Sequence, residues 1–391
     1  MPNNFNKWKS IYDAEDLIPF TENKEALLWL KVKSVVRKEI INEFCSANHI
    51  VLETTSLTKQ FEELFNLLSA NLEESHKKLD SYILSKNAKI LKELNQEKLV
   101  SELYKLQSFE WGGDYQNSLD KYLVSHYVKA IQSFDELTAK FDKEIKHAVQ
   151  GYVLNSWYNH RSRHAAMSYW VQGYVLNSWY NHWSSILIEH IFKSHKIVLP
   201  TVGQIKSVDF FVNQIPFDLK VTYFPAEFLK AQRKGKGYPV ELTYLKAKAK
   251  ELGIVFDKDA KPSEIHYEIS EKLKDRNSKE SLEVLNTLKQ ENLGIVQECI
   301  KNPKFLAKWL YENQGEMRFG SENRLFLVLI DTDDFSASWK LKRNLDLLKP
   351  AIHGYLDDFG NKSLDDMKIE FTYQGKSKIY TTYADVIFVM K

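Results

Sequence analysis

The chain has 391 residues, with 54 Lys and Arg against 52 Asp and Glu, so its formal net charge of +2 excludes nucleic-acid binding through bulk positive charge. Its two cysteines, Cys45 and Cys299, lie far apart and suit neither a disulfide framework nor a zinc site. The amino-terminal run MPNNFNKWKSIYDAEDL lacks a signal-peptide core and no apolar run reaches spanning length, so the expectation is a cytoplasmic protein with no membrane contact.

The first 148 residues read as a helical domain. Thr21 is placed to cap a helix running to about Phe44, with Leu27, Leu28, Val32, Val35 and Val36 as its apolar stripe. A second helix starts near Thr58 and carries Phe61, Leu64, Leu68 and Leu72. Further helices are expected over Asn87–Leu106 and Gln116–Lys146, with a turn at Trp111-Gly112-Gly113. The charges are mixed and no basic stripe stands out, which favours bracing or dimerisation over DNA reading.

The run VQGYVLNSWYNH then occurs twice, at Val149–His160 and Val171–His182. Two identical copies do not make a solenoid, which needs at least three drifting units. An in-frame duplication is the simplest account. The second copy leads into a helical pattern over Trp183–Lys196, where Glu189 interrupts an apolar surface made by Trp183, Leu187, Ile188, Ile191 and Phe192. The histidines at 182, 190 and 195 lack zinc-ligand spacing.

Next comes SVDFFVNQIPFDLKVTYF, two apolar strands flanking the polar step Asn213–Gln214. With those two residues as the turn, Val212 faces Ile215 and Asp209 lies opposite Asp218. Lys220, two residues on, returns to the same face. Like charges set opposite one another are destabilising, and charges among Val, Phe, Ile and Leu require pairing. A divalent cation meets that need, with Mg²⁺ preferring carboxylate oxygens. The alternative is an alternating half-solvated strand, with Glu189 paired to a nearby lysine.

Glu189, Asp209 and Asp218-Leu219-Lys220 resemble the active-site series of the PD-(D/E)xK, or restriction-endonuclease-like, nuclease superfamily. The stretch IPFDLKVTYFP is similar to those of type II restriction endonucleases. Val208 stands where many members have proline. The resemblance covers about 50 residues and implies a Mg²⁺-dependent phosphodiesterase, with Mn²⁺ as a substitute. It implies metal ligation by Asp209, Asp218 and the Leu219 carbonyl, with Glu189 in a near or outer position. Lys220 would orient water and stabilise developing charge, since adjacent carboxylates oppose the depressed pKa that a lysine base needs. It further implies double-stranded DNA as partner and a homodimer, whose two sites would cut both strands of a palindrome.

Beyond the hairpin, KAQRKGKGYP gathers Lys230, Arg233, Lys234 and Lys236 around two glycines. With Lys206, these are the candidate contacts to DNA phosphates, in a flexible step. Leu245–Leu273 resembles a SAP-type DNA-binding unit, with an ordinary helical insertion as the alternative. Arg324–Ile330 reads as a buried strand, Asp331, Asp333 and Asp334 as a helix-capping step, and Ser338–Leu348 as a helix. Ile369–Tyr373 and Lys378–Val389 form a closing hairpin around Gln374-Gly375.

The expected fold class is α/β (α+β), a restriction-endonuclease-like mixed sheet flanked by helices. Its expected parts are an N-terminal helical domain at 1–148, a first core part at 149–225, a charged helical insertion at 226–320 and a second core part at 321–391. The leading expectation is a sequence-specific DNA endonuclease. A repair or RNA-directed nuclease, or a non-catalytic nucleic-acid-binding or scaffold protein, stands as the alternative.

Overall fold

The computed structural model describes residues 4–93, 95–100, 184–260, 262–313, 322–373 and 377–391. Outside them lie the expected helix Gln116–Lys146, residues 94 and 101–106 of the expected helix Asn87–Leu106, the Trp111 turn, Trp183 and both copies of the repeat. The chain separates into two units, residues 1–93 with 188–391 and residues 94–187. The first unit is a mixed α+β fold around a six-stranded sheet of order β1-β2-β3-β4-β6-β5.

Six helices open the chain: α1 (Phe5–Asp13), α2 (Ile18–Glu22), α3 (Lys24–Val35), α4 (Lys38–Ala47), α5 (Leu57–Ser69) and α6 (Leu72–Glu93). The single helix expected from Thr21 to Phe44 is therefore divided. Asn23 caps α3, its side chain accepting from the Glu25 and Ala26 N–H groups at 2.9 and 3.1 Å. The β-branched pair Val35-Val36 ends α3, and Arg37 is extended. Nine of the residues in α3, from Ala26 to Val35, are buried, which marks a helix enclosed on all sides. Its Leu27, Leu28 and Trp29 join Phe5, Phe61, Leu199, Val208 and Phe211 in one core, so helices through Glu93 belong with the sheet rather than with a separate domain ending at 148.

A helix over residues 184–193 (α7) leads to β1 (Val198–Ile205), β2 (Val208–Val212) and β3 (Ile215–Tyr223). The three strands form an antiparallel meander. The β2–β3 turn has both central residues left-handed, Asn213 at φ 46° and Gln214 at φ 73°, and pairs Val212 with Ile215. That backbone matches the strand twist of a two-residue hairpin. Gln214 tolerates its strained φ because Lys31 and Asp80 hold its side chain.

From Asp218 onward β3 runs parallel to β4 (Arg324–Ile330), which is buried at every position. β4 in turn lies parallel to β6 (Ile379–Met390), and β5 (Lys368–Thr372) closes the sheet antiparallel to β6. The crossover between β3 and β4 holds α8 (Ala226–Gly235), α9 (Glu241–Glu251), α10 (Pro262–Arg276), α11 (Lys279–Lys301) and α12 (Pro303–Asn313). α9, α10 and the start of α11 have their own small core, built on Leu245, Ala249, Ile265, Ile269, Leu273, Val284 and Leu288. α12 covers the sheet face that carries Phe326, Val328, Ala384 and Val386. On the other face Phe192 of α7 stacks on Phe210 at 5.0 Å.

After β4, Asp331 accepts from the N–H groups of Asp333 and Asp334 at 3.1 and 3.4 Å, ahead of a 3₁₀ helix at Phe335–Arg343. The helix expected over Ser338–Leu348 is interrupted at Asn344, whose side chain caps α13 (Leu345–Asp358). Among the described residues, no helix is long and apolar enough to cross a membrane.

Candidate functional site

The site forms where the β2–β3 ladder stops. Its last Cα pair is Phe210 with Phe217, one step short of Asp209 and Asp218. At Asp218 the other edge of β3 takes up β4, pairing Asp218 with Arg324. The Asp218 N–H points that way, to the carbonyl of Asn323 at 2.9 Å. The next N–H, of Leu219, points back toward β2, where no backbone carbonyl continues the ladder. The Asp209 carboxylate fills the gap, Oδ2 accepting from Leu219 N at 2.8 Å.

Asp209 is thus tied to the backbone between the other two candidate residues. Burial pushes its pKa up to about 6, against the lowering effect of the Leu219 N–H, and the charges of Asp218 and Glu189 push the same way. Asp218 is itself buried, and burial raises its pKa too, opposed by Lys220 and Arg324. Lys220 Nζ donates to Asp218 Oδ1 at 2.9 Å and lies 2.8 Å from Oδ2. Oδ2 makes no hydrogen bond of good geometry, so its contacts with Lys220 and with Arg324 Nε at 3.5 Å are ionic.

Glu189 is close enough to act on the charge of Asp209, but its Oε2 is bonded to Lys193 Nζ at 2.6 Å. The third carboxylate is therefore oriented along its own helix rather than into a shared ligand group. Among the described residues, no group of three or more His, Cys, Asp or Glu side chains gathers as a metal cage. The remaining donors still fit Mg²⁺. That ion is commonly held by one or two carboxylates, with water and substrate phosphate oxygens completing its shell. Asp209 fits such a role, being a largely desolvated carboxylate that feels the charge of Asp218.

Two residues of the site were not among the expected ones. Arg324, 1% exposed, lies between Asp218 and Glu322, with Nη2 2.9 Å from Glu322 Oε2 and its guanidinium 4.8 Å from the Tyr311 ring. Glu322 is also buried and accepts from Ser207 Oγ in the β1–β2 turn at 2.9 Å. The only sequence signal for either was a charged pair at the mouth of an apolar strand.

No family model, no curated protein and no solved structure matches the chain.

The expected phosphate contacts divide. Arg233 is 1% exposed and faces inward, bonded to Glu291 at 2.6 Å, Asn292 at 2.7 Å and the Pro239 carbonyl at 3.0 Å. Its assignment as a DNA contact is corrected to a bracing role. The step around it is not a flexible loop. α8 runs through it and ends in a Schellman cap, with Gly237 left-handed at φ 77° and Tyr238 N–H donating to the Arg233 carbonyl at 2.8 Å. Lys230 and Lys236 pair with Glu227 and Glu298, and Lys206 pairs with Glu15. Lys234 is exposed. His195 contacts Asp357 at 3.1 Å, and its ring packs edge-on against His353.

Proposed function

We propose that this chain is a metal-dependent endonuclease of the PD-(D/E)xK type, hydrolysing phosphodiester bonds of double-stranded DNA as a type II restriction enzyme does. The observation that carries the proposal is the Asp209 carboxylate bonded to Leu219 N–H, with Asp218 and Lys220 on either side of that residue. Asp209 and Asp218 are the residues that would hold Mg²⁺, or Mn²⁺ in its place. When bound, the ion neutralises charge on the phosphoryl oxygens and lowers the pKa of water.

The side chains supply the rest. The Leu219 N–H fixes one Asp209 oxygen and leaves the other for ligation. Lys220, half-buried and bonded to Asp218, places an ammonium where charge develops on phosphate or on the attacking water. Its pairing to a carboxylate favours this positioning role over that of a free base. A homodimer would present two such sites to a palindromic target.

The test is digestion of a supercoiled plasmid with Mg²⁺. Discrete fragments are expected, with cleavage lowered by about a hundredfold or more in Asp218→Ala and in Lys220→Ala. Undiminished cutting by either variant would sink the site assignment. A smear of products would instead favour a repair-type enzyme.

One observation favours a second reading. Asp218 already has two cations beside it, Lys220 and Arg324, which is also how a purely structural charge network would look. A protein of that kind would bind nucleic acid or act as a scaffold, with binding indifferent to EDTA and no cutting.

A further inference from the structure

The guanidinium of Arg324 has no route to a substrate, being 1% exposed beneath Tyr311. Yet it sits between two buried carboxylates, Glu322 at 2.9 Å and Asp218 at 3.5 Å. A cation bridging two carboxylates is the arrangement a divalent ion would otherwise adopt. The position is built rather than incidental. Asp218 and Arg324 are register partners on adjacent parallel strands, so the backbone ladder delivers the guanidinium to the carboxylate. Glu322 is held from three sides, its side chain by Ser207 and its carbonyl by the hydroxyls of Tyr311 and Thr382 at 2.7 and 2.8 Å.

From this placement we propose that Arg324 is a resident cation that takes the place of a second divalent ion, so that each chain binds one such ion, on the Asp209 side of Asp218. The inference rests on Asp209 and Asp218 being the metal site. A guanidinium on the far side of Asp218 repels any dication approaching between Asp218 and Glu322, and in a partly buried setting that repulsion is weakly screened. Two-metal sites place a second ion a few ångströms from the first, sharing a carboxylate. Here the shared carboxylate already has its other side covered. Arg324 is then a positioning residue that sets metal number and acts on the reaction only through Asp218.

The test is a Mn²⁺ titration of the whole 391-residue chain, with free Mn²⁺ counted by electron paramagnetic resonance, so no cleavage need be observed. Wild-type protein is expected to bind one ion per chain. Arg324→Met, which retains an apolar stem against Tyr311, is expected to gain a second, weaker ion, while Arg324→Lys stays at one. Glu322→Gln, which removes one of the guanidinium's two carboxylate partners and turns its charge onto Asp218, is expected to bind its one ion about tenfold more weakly. Two ions in the wild type, one ion in a folded Arg324→Met, or unchanged affinity in Glu322→Gln would each overturn the inference while leaving the metal site intact. No binding by the wild type would instead overturn the metal site, and the inference with it.

Discussion

Asp209 of β2 and Leu219 of β3 are joined by a side-chain-to-backbone hydrogen bond of 2.8 Å at the point where the two strands stop pairing. A strand end normally leaves its next N–H to water. Here a half-buried carboxylate takes it, and the residues on either side of that N–H are Asp218 and Lys220. The bond therefore holds the Asp209 carboxylate against the backbone that carries Asp218 and Lys220. It also holds a carboxylate where its charge is poorly solvated.

That cost gives a pH signature. Asp209 has its pKa raised from 3.8 to about 6, so the folded state binds its proton more tightly than the unfolded state does. The resulting stabilisation is complete below pH about 4 and is lost as the pH rises through about 6. Above that, an ionised Asp209 costs up to about 3 kcal/mol. Asp209→Asn should therefore unfold at a higher temperature than wild type at pH 8, by about 1–3 kcal/mol, with the difference vanishing near pH 4. Mn²⁺ affinity of the wild type should fall as the pH drops below about 6, because the proton competes for the same oxygen. Thermal melts and titrations across pH 4–8 check both.

A second prediction concerns the hairpin turn. Lys31 of α3 is fully buried, and its ammonium bonds Asp80 of α6 at 2.5 Å as well as the Gln214 side chain. Burial lowers the pKa of Lys31, while Asp80 opposes that shift. Lys31→Met should destabilise the protein by about 2 kcal/mol, below the usual range for a buried pair because Asp80 is 23% exposed and can be resolvated. Adding Asp80→Leu should recover part of the loss, since replacing both partners removes the orphaned charge. A double-mutant cycle by urea unfolding measures the coupling.

How far the chain announced this arrangement can be judged from the same residues. The turn at Asn213–Gln214 and the pairing of Val212 with Ile215 were legible, because apolar strands around a polar step leave one register that buries both. Asp209 opposite Asp218 followed by counting. Counting does not show that the ladder ends there, since that depends on how the strands splay in three dimensions. Lys31 and Gln214 are 183 residues apart, and a lysine in an apolar stripe carries no record of its partner. Arg324 reaches Asp218 only through a parallel register set across a long crossover, which single-sequence periodicity does not encode. The capping of α3 was misplaced by two residues because Thr21 and Asn23 are both good caps, and tertiary packing selected Asn23.

The cysteines give a third prediction. Cys45 and Cys299 are both buried, and burial raises both thiol pKa values, that of Cys299 to about 12. A thiolate is the reactive form, and the charges of Glu63 beside Cys45 and Glu298 beside Cys299 disfavour it further. Native protein should therefore show no fast-reacting thiol toward an aromatic disulfide reagent at pH 8, and two after denaturation, since the chain has two cysteines.

A fourth prediction separates two neighbours in the basic step of α8. Arg233 is inward, with all three of its nitrogens bonded, and Lys234 beside it is exposed. Arg233→Ala should cost about 3 kcal/mol of stability, because it strands Glu291 and Asn292 and removes the side-chain bond to the Pro239 carbonyl just beyond the Schellman turn. Lys234→Ala should change stability by less than about 0.5 kcal/mol. If Lys234 touches a DNA phosphate, its loss should weaken binding uniformly across sequences and reduce the salt slope by about one. Binding is measured with Ca²⁺ in place of Mg²⁺ at several salt concentrations. An Arg233→Ala protein that keeps its stability and loses only the salt slope would restore that residue to the phosphate contacts. The inward ion pair with Glu291 argues for the opposite result, since a buried guanidinium committed to Glu291, Asn292 and the Pro239 carbonyl has no donor left to offer a phosphate.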